Sequence, residues 1–125
     1  MDEFEYVYVF LKPGISIIDR SRLARDEWSE WGSRAVWYIP SVHANVEHEA
    51  QFPVKLAQRI IRLFSAPDDL VLDCFIGGGT TAIAAITEGR RYIGFELLDQ
   101  YAKLAEKRCK QAPVSYTHLT LPTKA

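Results

Sequence analysis

Apolar positions fall along this chain in blocks with two different periods. Tyr6 to Phe10 is an unbroken aromatic and β-branched run, which predicts a strand, and Lys12-Pro13-Gly14 ends it. Ser21 to Gly32 mixes charges with Trp28 and Trp31, which share one face of a short predicted helix. Ala35 to Ile39 reads as a short extended stretch. From Pro53 the spacing turns helical. Ala57, Ile60, Ile61 and Phe64 share a face, flanked by Leu56 and Leu63, and this face is expected in the core. Pro53 sits at the helix start, where its missing N–H breaks no bond. Pro67-Asp68-Asp69 predicts a turn.

The next segment is the most informative. The apolar run Leu70-Val71-Leu72 ends in Asp73, followed by Phe75, Gly77, Gly78 and Gly79, then Thr80, Thr81 and an Ala-rich helix to Thr87 that Gly89 closes. A second strand from Arg91 to Phe95 ends in Glu96, and Leu98 to Gln111 is a last helix with Asp99 as its expected N-cap. Strand, tight turn, helix and strand predict two adjacent parallel strands, Leu70–Phe75 and Tyr92–Glu96, joined by a right-handed crossover. Asp73 and Glu96 are then expected at the same sheet edge, where open α/β sheets bind ligands.

Glycines at such a turn let a ligand approach the backbone, and an acid roughly 20 residues on suits a ribose hydroxyl. The blander reading is a tight turn with no ligand and a solvated Glu96. Gly77-x-Gly79-x-x-Ala82 also fits a dinucleotide fingerprint. Asp73 argues against it, because a carboxylate there would repel a pyrophosphate. S-adenosyl-L-methionine brings an ammonium for Asp73, a carboxylate for backbone N–H groups and a ribose for Glu96.

These residues resemble the permuted (beta-type) DNA amino-methyltransferases, the adenine-N6 and cytosine-N4 methylases. That family reads Asp-Pro-Phe-x-Gly-Ser-Gly-Thr-Thr, against Asp73-Cys74-Phe75-Ile76-Gly77-Gly78-Gly79-Thr80-Thr81. Upstream it has His-x-Ala-x-Phe-Pro, against His48-Glu49-Ala50-Gln51-Phe52-Pro53. Downstream come Gly89-Arg90-Arg91-Tyr92-Ile93-Gly94-Phe95-Glu96 and a helix carrying Tyr101, Ala105 and Arg108, both in family order. The match is strong from His48 to Arg108 and weak from Tyr6 to Pro40.

The resemblance implies an α/β fold, a truncated Rossmann-like class I methyltransferase sheet with flanking helices. It implies S-adenosyl-L-methionine as cofactor, bound by Phe52, Asp73, Phe75, Gly77, Gly78, Gly79, Thr80, Thr81 and Glu96. It implies double-stranded DNA as partner of the complete enzyme, within a prokaryotic or phage restriction-modification setting. Phe75 has two compatible readings, packing on the donor or filling the core beneath the turn. His48 has a pocket-shaping reading and a structural one, and His43 reads as a surface residue. Two departures stand out: Cys74 where the family has proline, and Gly78 where it has serine.

The family's catalytic motif, Asp- or Ser-Pro-Pro-Tyr, does not occur in this chain. In the permuted order it precedes the donor motifs. Residues 1–112 are therefore expected to be the donor-binding half of a methylase domain, inactive alone, with the status of Met1 as a start left open. Adenine N6 is favoured over cytosine N4 as the commoner target. Competing readings are a methyltransferase of the same fold acting on RNA, protein or a small molecule, a dinucleotide-dependent oxidoreductase, and an inactive truncated product.

Composition adds limits. The chain has 125 residues, 48% hydrophobic and 25% charged, which suits one globular domain or part of one. Its formal charge of -1 gives no strongly basic footprint for nucleic acid. Arg20, Arg22, Arg25 and Arg34 suggest phosphate contacts, but Asp19, Asp26, Glu27 and Glu30 offset them, so a solvated helix competes with a DNA-facing segment. There is no bilayer-length apolar run and no signal-peptide pattern, so a cytoplasmic protein is expected. Cys74 and Cys109 lack metal-ligand spacing and read as reduced thiols. Residues 113–125 form a separate tail, in which Val114 to Thr123 resembles a sequencing adapter translated in one frame. It is excluded from the fold, Tyr116 and His118 are given no role, and a metagenomic origin is expected.

Overall fold

The computed structural model describes residues 4–14, 18–42 and 52–114. The expectations for His43, His48 and the tail beyond Val114 lie outside the described residues. The elements run in the order of a 3-10 turn (Arg20–Arg22), α1 (Arg25–Glu27) continuing into a π-helical turn (Trp28–Gly32), α2 (Val54–Phe64), β1 (Leu70–Asp73), α3 (Thr80–Thr87), β2 (Arg91–Gly94) and α4 (Asp99–Gln111).

β1 and β2 pair in parallel, with Leu70 opposite Arg91 and Asp73 opposite Gly94. The expected βαβ unit is therefore present, with strands about two residues shorter than expected at their ends. α2 and α3 cover one face of this small sheet. Ala57 and Ile61 of α2 meet Ala84 and Ala85 of α3, with Val54 and Val71 packed around them. The alanines matter here, since small side chains let the two helices approach closely. Among the described residues nothing covers the other sheet face: Leu70 and Leu72 alternate outward and are more than half exposed.

The helix ends are satisfied in specific ways. Pro53 stands just outside α2 as its N-cap, and its carbonyl accepts from the Leu56 N–H at 3.0 Å. Gly89 closes α3 at φ 73°, a conformation that favours glycine. Arg90, only 7% exposed, donates to Ser65 Oγ, the Ser65 carbonyl and the Glu88 carbonyl at 2.6–3.0 Å. Its charge thus sits at the C-terminal ends of both α2 and α3, where a cation is favourable. Burial pulls the Arg90 guanidinium below its ordinary pKa.

Three expectations are corrected. Tyr6 to Phe10 forms no strand among the described residues, and its side chains are exposed. A β-prone run needs a neighbouring strand to supply its hydrogen bonds, and none pairs with it here. Ala35 to Ile39, read from sequence as extended rather than as a paired strand, joins no ladder among the described residues. On α2, Ala57 and Ile61 are buried as expected, but Phe64 is exposed, and the flanking Leu63, on nearly the opposite side of the helix from Ile61, is buried in its place. Asp99 is the first helical residue of α4 rather than its N-cap, and it pairs with Lys103 at 2.8 Å.

The tryptophan segment is fastened to α2 and α3. Arg62 donates to Glu27 at 2.7 Å and to Glu88 at 3.0 Å, joining α1, α2 and the end of α3. Burial alone would lower the Arg62 pKa, but the two carboxylates outweigh it and hold it raised. Arg20 lies 3.9 Å over the Trp28 ring, and Arg59 approaches Trp31 and Trp37 at 5.2 and 5.6 Å. The Trp37 indole donates to the Trp31 carbonyl.

Candidate functional site

The site forms where β1, the glycine turn and the end of β2 converge. Asp73 closes β1 and its carboxylate is held at both oxygens. Oδ1 accepts from the Phe75 N–H at 2.9 Å and Oδ2 from the Thr81 hydroxyl at 2.6 Å. Glu96 follows β2 and is held in the same manner. Oε2 accepts from the Gly77 N–H and Oε1 from the Leu98 N–H, each at 2.9 Å. The backbone stitches the two strand ends together, with Phe95 N–H to the Asp73 carbonyl and Ile76 N–H to the Phe95 carbonyl. Both carboxylates therefore stand at one sheet edge, as expected from the sequence.

The turn itself is buried at Gly77, Gly78 and Gly79. Gly77 and Gly79 have φ of 53° and 88°, which a residue with a Cβ adopts only under strain. Gly79 is the N-cap of α3, and Thr80, its first residue, is buried. Phe52, at the entry to α2, lines a cavity of about 230 Å³ with Ile60, Leu72, Asp73 and Thr81. Phe52, Asp73 and Thr81 thus meet around one hollow, while Glu96 approaches from the β2 side.

Phe75 departs from expectation. Its backbone N–H orients Asp73, but its ring is 90% exposed, so it fills no core beneath the turn. The glycines also do something the sequence did not suggest. A Cβ on Gly79 would lie 2.9 Å from the Ala105 Cβ, so the bare Cα there serves the approach of α4. Gly94 plays a similar part for Ile76, whose side chain occupies the place of its missing Cβ.

Sequence reasoning gave no role to Arg108, which donates to the Gly78 carbonyl at 2.7 Å. The Tyr101, Ala105, Arg108 spacing was the available signal, since i, i+4 and i+7 line one helix face. Among the described residues, no three His, Cys, Asp or Glu side chains gather as a metal site. No helix among them is long and apolar enough to cross a membrane.

This arrangement, two oriented carboxylates flanking a glycine turn at the C-terminal edge of a parallel sheet, is that of a class I methyltransferase fold. The family described as DNA methylase, of the N6/N4 type, matches residues 1–107, and the chain belongs to it. It is 49% identical over 115 residues to the type II methyltransferase M.BglI from Bacillus subtilis, covering 92% of this chain and 33% of that protein. It is 33% identical over 124 residues to the type II methyltransferase M.MthZI from Methanothermobacter thermautotrophicus, covering 87% of this chain and 35% of that one. Among solved structures, a candidate DNA modification methylase from Thermus thermophilus, complexed with S-adenosyl-L-methionine, superposes with a TM-score of 0.61 at 39% identity. That match covers 75% of this chain and 37% of the other. The chain thus spans about a third of the length of the curated relatives it matches.

Proposed function

We propose that residues 1–112 are the S-adenosyl-L-methionine-binding portion of a DNA methyltransferase acting on an exocyclic amino group, and that residues 113–125 are a non-native tail. The carrying observation is the shared edge of Asp73 and Glu96, each carboxylate fixed by the glycine turn or by α3.

The residues fit this donor. A carboxylate offers about four lone-pair directions, and in Asp73 and Glu96 two contacts each leave the rest open. Asp73 would take the donor's ammonium and Glu96 its ribose hydroxyls. Among the described residues the Gly78 N–H has no partner, and it would serve the donor's carboxylate. Phe52 and Thr81 line the adjoining hollow, and Thr80 holds the start of α3. The exposed Phe75 ring would cover the donor. The donor supplies an electrophilic methyl group on a sulfonium. This chain's residues bind and orient it. The complex of the T. thermophilus neighbour with S-adenosyl-L-methionine supports the reading.

The target-activating Asp/Ser-Pro-Pro-Tyr motif is not among these 125 residues, so the chain alone is proposed to be inactive. Double-stranded DNA is the proposed substrate of the complete enzyme, with adenine N6 favoured and cytosine N4 the alternative. Nucleoside analysis of labelled product DNA separates the two, and parallel assays on RNA test the nearest competing substrate. Calorimetry with S-adenosylhomocysteine tests the site. Glu96→Ala in the complete methylase should weaken binding by about 1–3 kcal/mol, the scale of a charge-assisted hydrogen bond left unmade. Unchanged affinity in both Asp73→Ala and Glu96→Ala would sink the assignment.

A further inference from the structure

The glycine turn is clamped peptide by peptide. The peptide joining Ile76 to Gly77 is held at both ends, its carbonyl by the Gly79 N–H and its own N–H by Glu96. The peptide joining Gly78 to Gly79 is also held at both ends, its N–H by the Ile76 carbonyl and its carbonyl by Arg108. Between them lies one peptide, from Gly77 to Gly78, whose N–H has no partner among the described residues. Its orientation is fixed only through its two neighbours.

Arg108 reaches the turn from α4, a separate element that contributes no side chain to the lining of the hollow beside Asp73. The contact joins a guanidinium to a part-buried carbonyl at 2.7 Å, so it is charge-assisted and stronger than a neutral pair. One turn earlier on the same helix, Ala105 fills the space beside Gly79. Contact at Ala105 limits how far the turn can sink, and Arg108 limits how far it can lift.

We propose that Arg108 is a positioning residue for the methyl donor: by holding the Gly78 carbonyl it aims the unpartnered Gly78 N–H at the donor's carboxylate. This rests on the proposed donor site and deepens it. Loss of the guanidinium leaves the Gly78–Gly79 peptide held only through its N–H to the Ile76 carbonyl, so it can tilt about that bond and spread the Gly78 N–H over several directions. The cost falls on donor affinity. DNA affinity and the rate at saturating donor are left alone, because Arg108 touches neither the donor nor the reacting atoms.

The test uses the complete methylase carrying Arg108→Met and Arg108→Lys. Calorimetry with S-adenosylhomocysteine should show about a tenfold weaker Kd for Arg108→Met, as expected for one charge-assisted hydrogen bond. The KM for the donor should rise by a similar factor, with kcat and the KM for DNA within about twofold of native, the spread between assays of an untouched step. Arg108→Lys should recover part of the affinity, since an ammonium can still donate to the carbonyl. Native-like donor affinity in Arg108→Met would overturn the proposal while leaving the donor site standing. Donor and DNA binding falling together, in step with a lowered melting temperature and no rescue by lysine, would also overturn it, as a purely structural role. A native enzyme that binds no S-adenosylhomocysteine would overturn the donor site itself.

Discussion

Ala105 stands where a side chain on Gly79 would have to go, its Cβ 2.9 Å from the position a Cβ would take. Gly79 also holds φ at 88°. Two separate penalties therefore fall on Gly79→Ala: about 1–3 kcal/mol of backbone strain, and about 1–3 kcal/mol of overpacking against α4. Urea denaturation of the complete methylase should show the sum. Adding Ala105→Gly should return only part of the overpacking, because the Ala105 Cα stands 3.0 Å from the same position, and it leaves the strain. Full recovery in the double variant would mean the backbone angle costs nothing.

Arg62 stands between two carboxylates, Glu27 and Glu88, all three well shielded from solvent. Arg62→Met keeps most of the volume and leaves two acidic groups facing a thioether. A loss of about 2–4 kcal/mol in unfolding free energy is expected, near the lower range for breaking a buried pair. Adding Glu27→Gln and Glu88→Gln should restore much of it. A single variant as stable as the native protein would show that the three helices do not depend on this bridge.

Tyr92 on β2 has its phenol pKa raised, first by its hydrogen bond with Cys109 and then by burial. The folded state thus holds the proton more tightly than the unfolded chain, whose tyrosine titrates near pH ~10. The stabilisation is complete below that pH and is lost as the pH rises through the folded value. Melting temperatures between about pH 9 and 11 should fall more steeply in the native protein than in Tyr92→Phe. Parallel curves for the two would remove Tyr92 from the account.

The bare sheet face predicts the behaviour of the chain alone. Leu70 and Leu72 point outward, and Tyr6 to Leu11 adds an exposed aromatic and aliphatic strip. At about 25 cal/mol per Å², covering roughly 200–400 Å² of such surface would contribute some 5–10 kcal/mol, comparable to a whole domain's net stability. The purified 125-residue chain should self-associate and should not methylate DNA. A monomer that melts cooperatively and transfers labelled methyl groups to DNA would contradict both statements.

What could be read from sequence was what local pattern determines. The β1–turn–α3–β2 unit follows from an apolar run, glycines and a second apolar run, and each signal lies within a few residues of the structure it makes. The pairing of Asp73 and Glu96 at one edge follows from parallel strands alone. Tyr6 to Phe10 has the composition of a strand but forms none here, because pairing is not a local property. On α2 the spacing finds Ala57 and Ile61, but Leu63 is buried outside the cluster these two form with the alanines of α3, and a one-face pattern does not show a second covered side. Asp99 resembles a cap, yet the Leu98 N–H at that helix start goes to Glu96, a partner outside the helix that no capping pattern names. Arg108 carried a family spacing but no chemistry until the Gly78 carbonyl appeared opposite it.

Arg90 leaves one last mark on the molecule. Trypsin cleaves after arginine, and Arg20, Arg25 and Arg34 are exposed, while Arg90 is buried with three hydrogen bonds to carbonyl and hydroxyl oxygens. A protease can approach the exposed Arg20, Arg25 and Arg34 in the folded protein, but it meets the bond after Arg90 only when α2 and α3 have parted. Where opening and closing outpace cleavage, the rate of that one cut measures the population of the opened form. The residue that ties two helix ends together is thereby a built-in reporter of how often they separate.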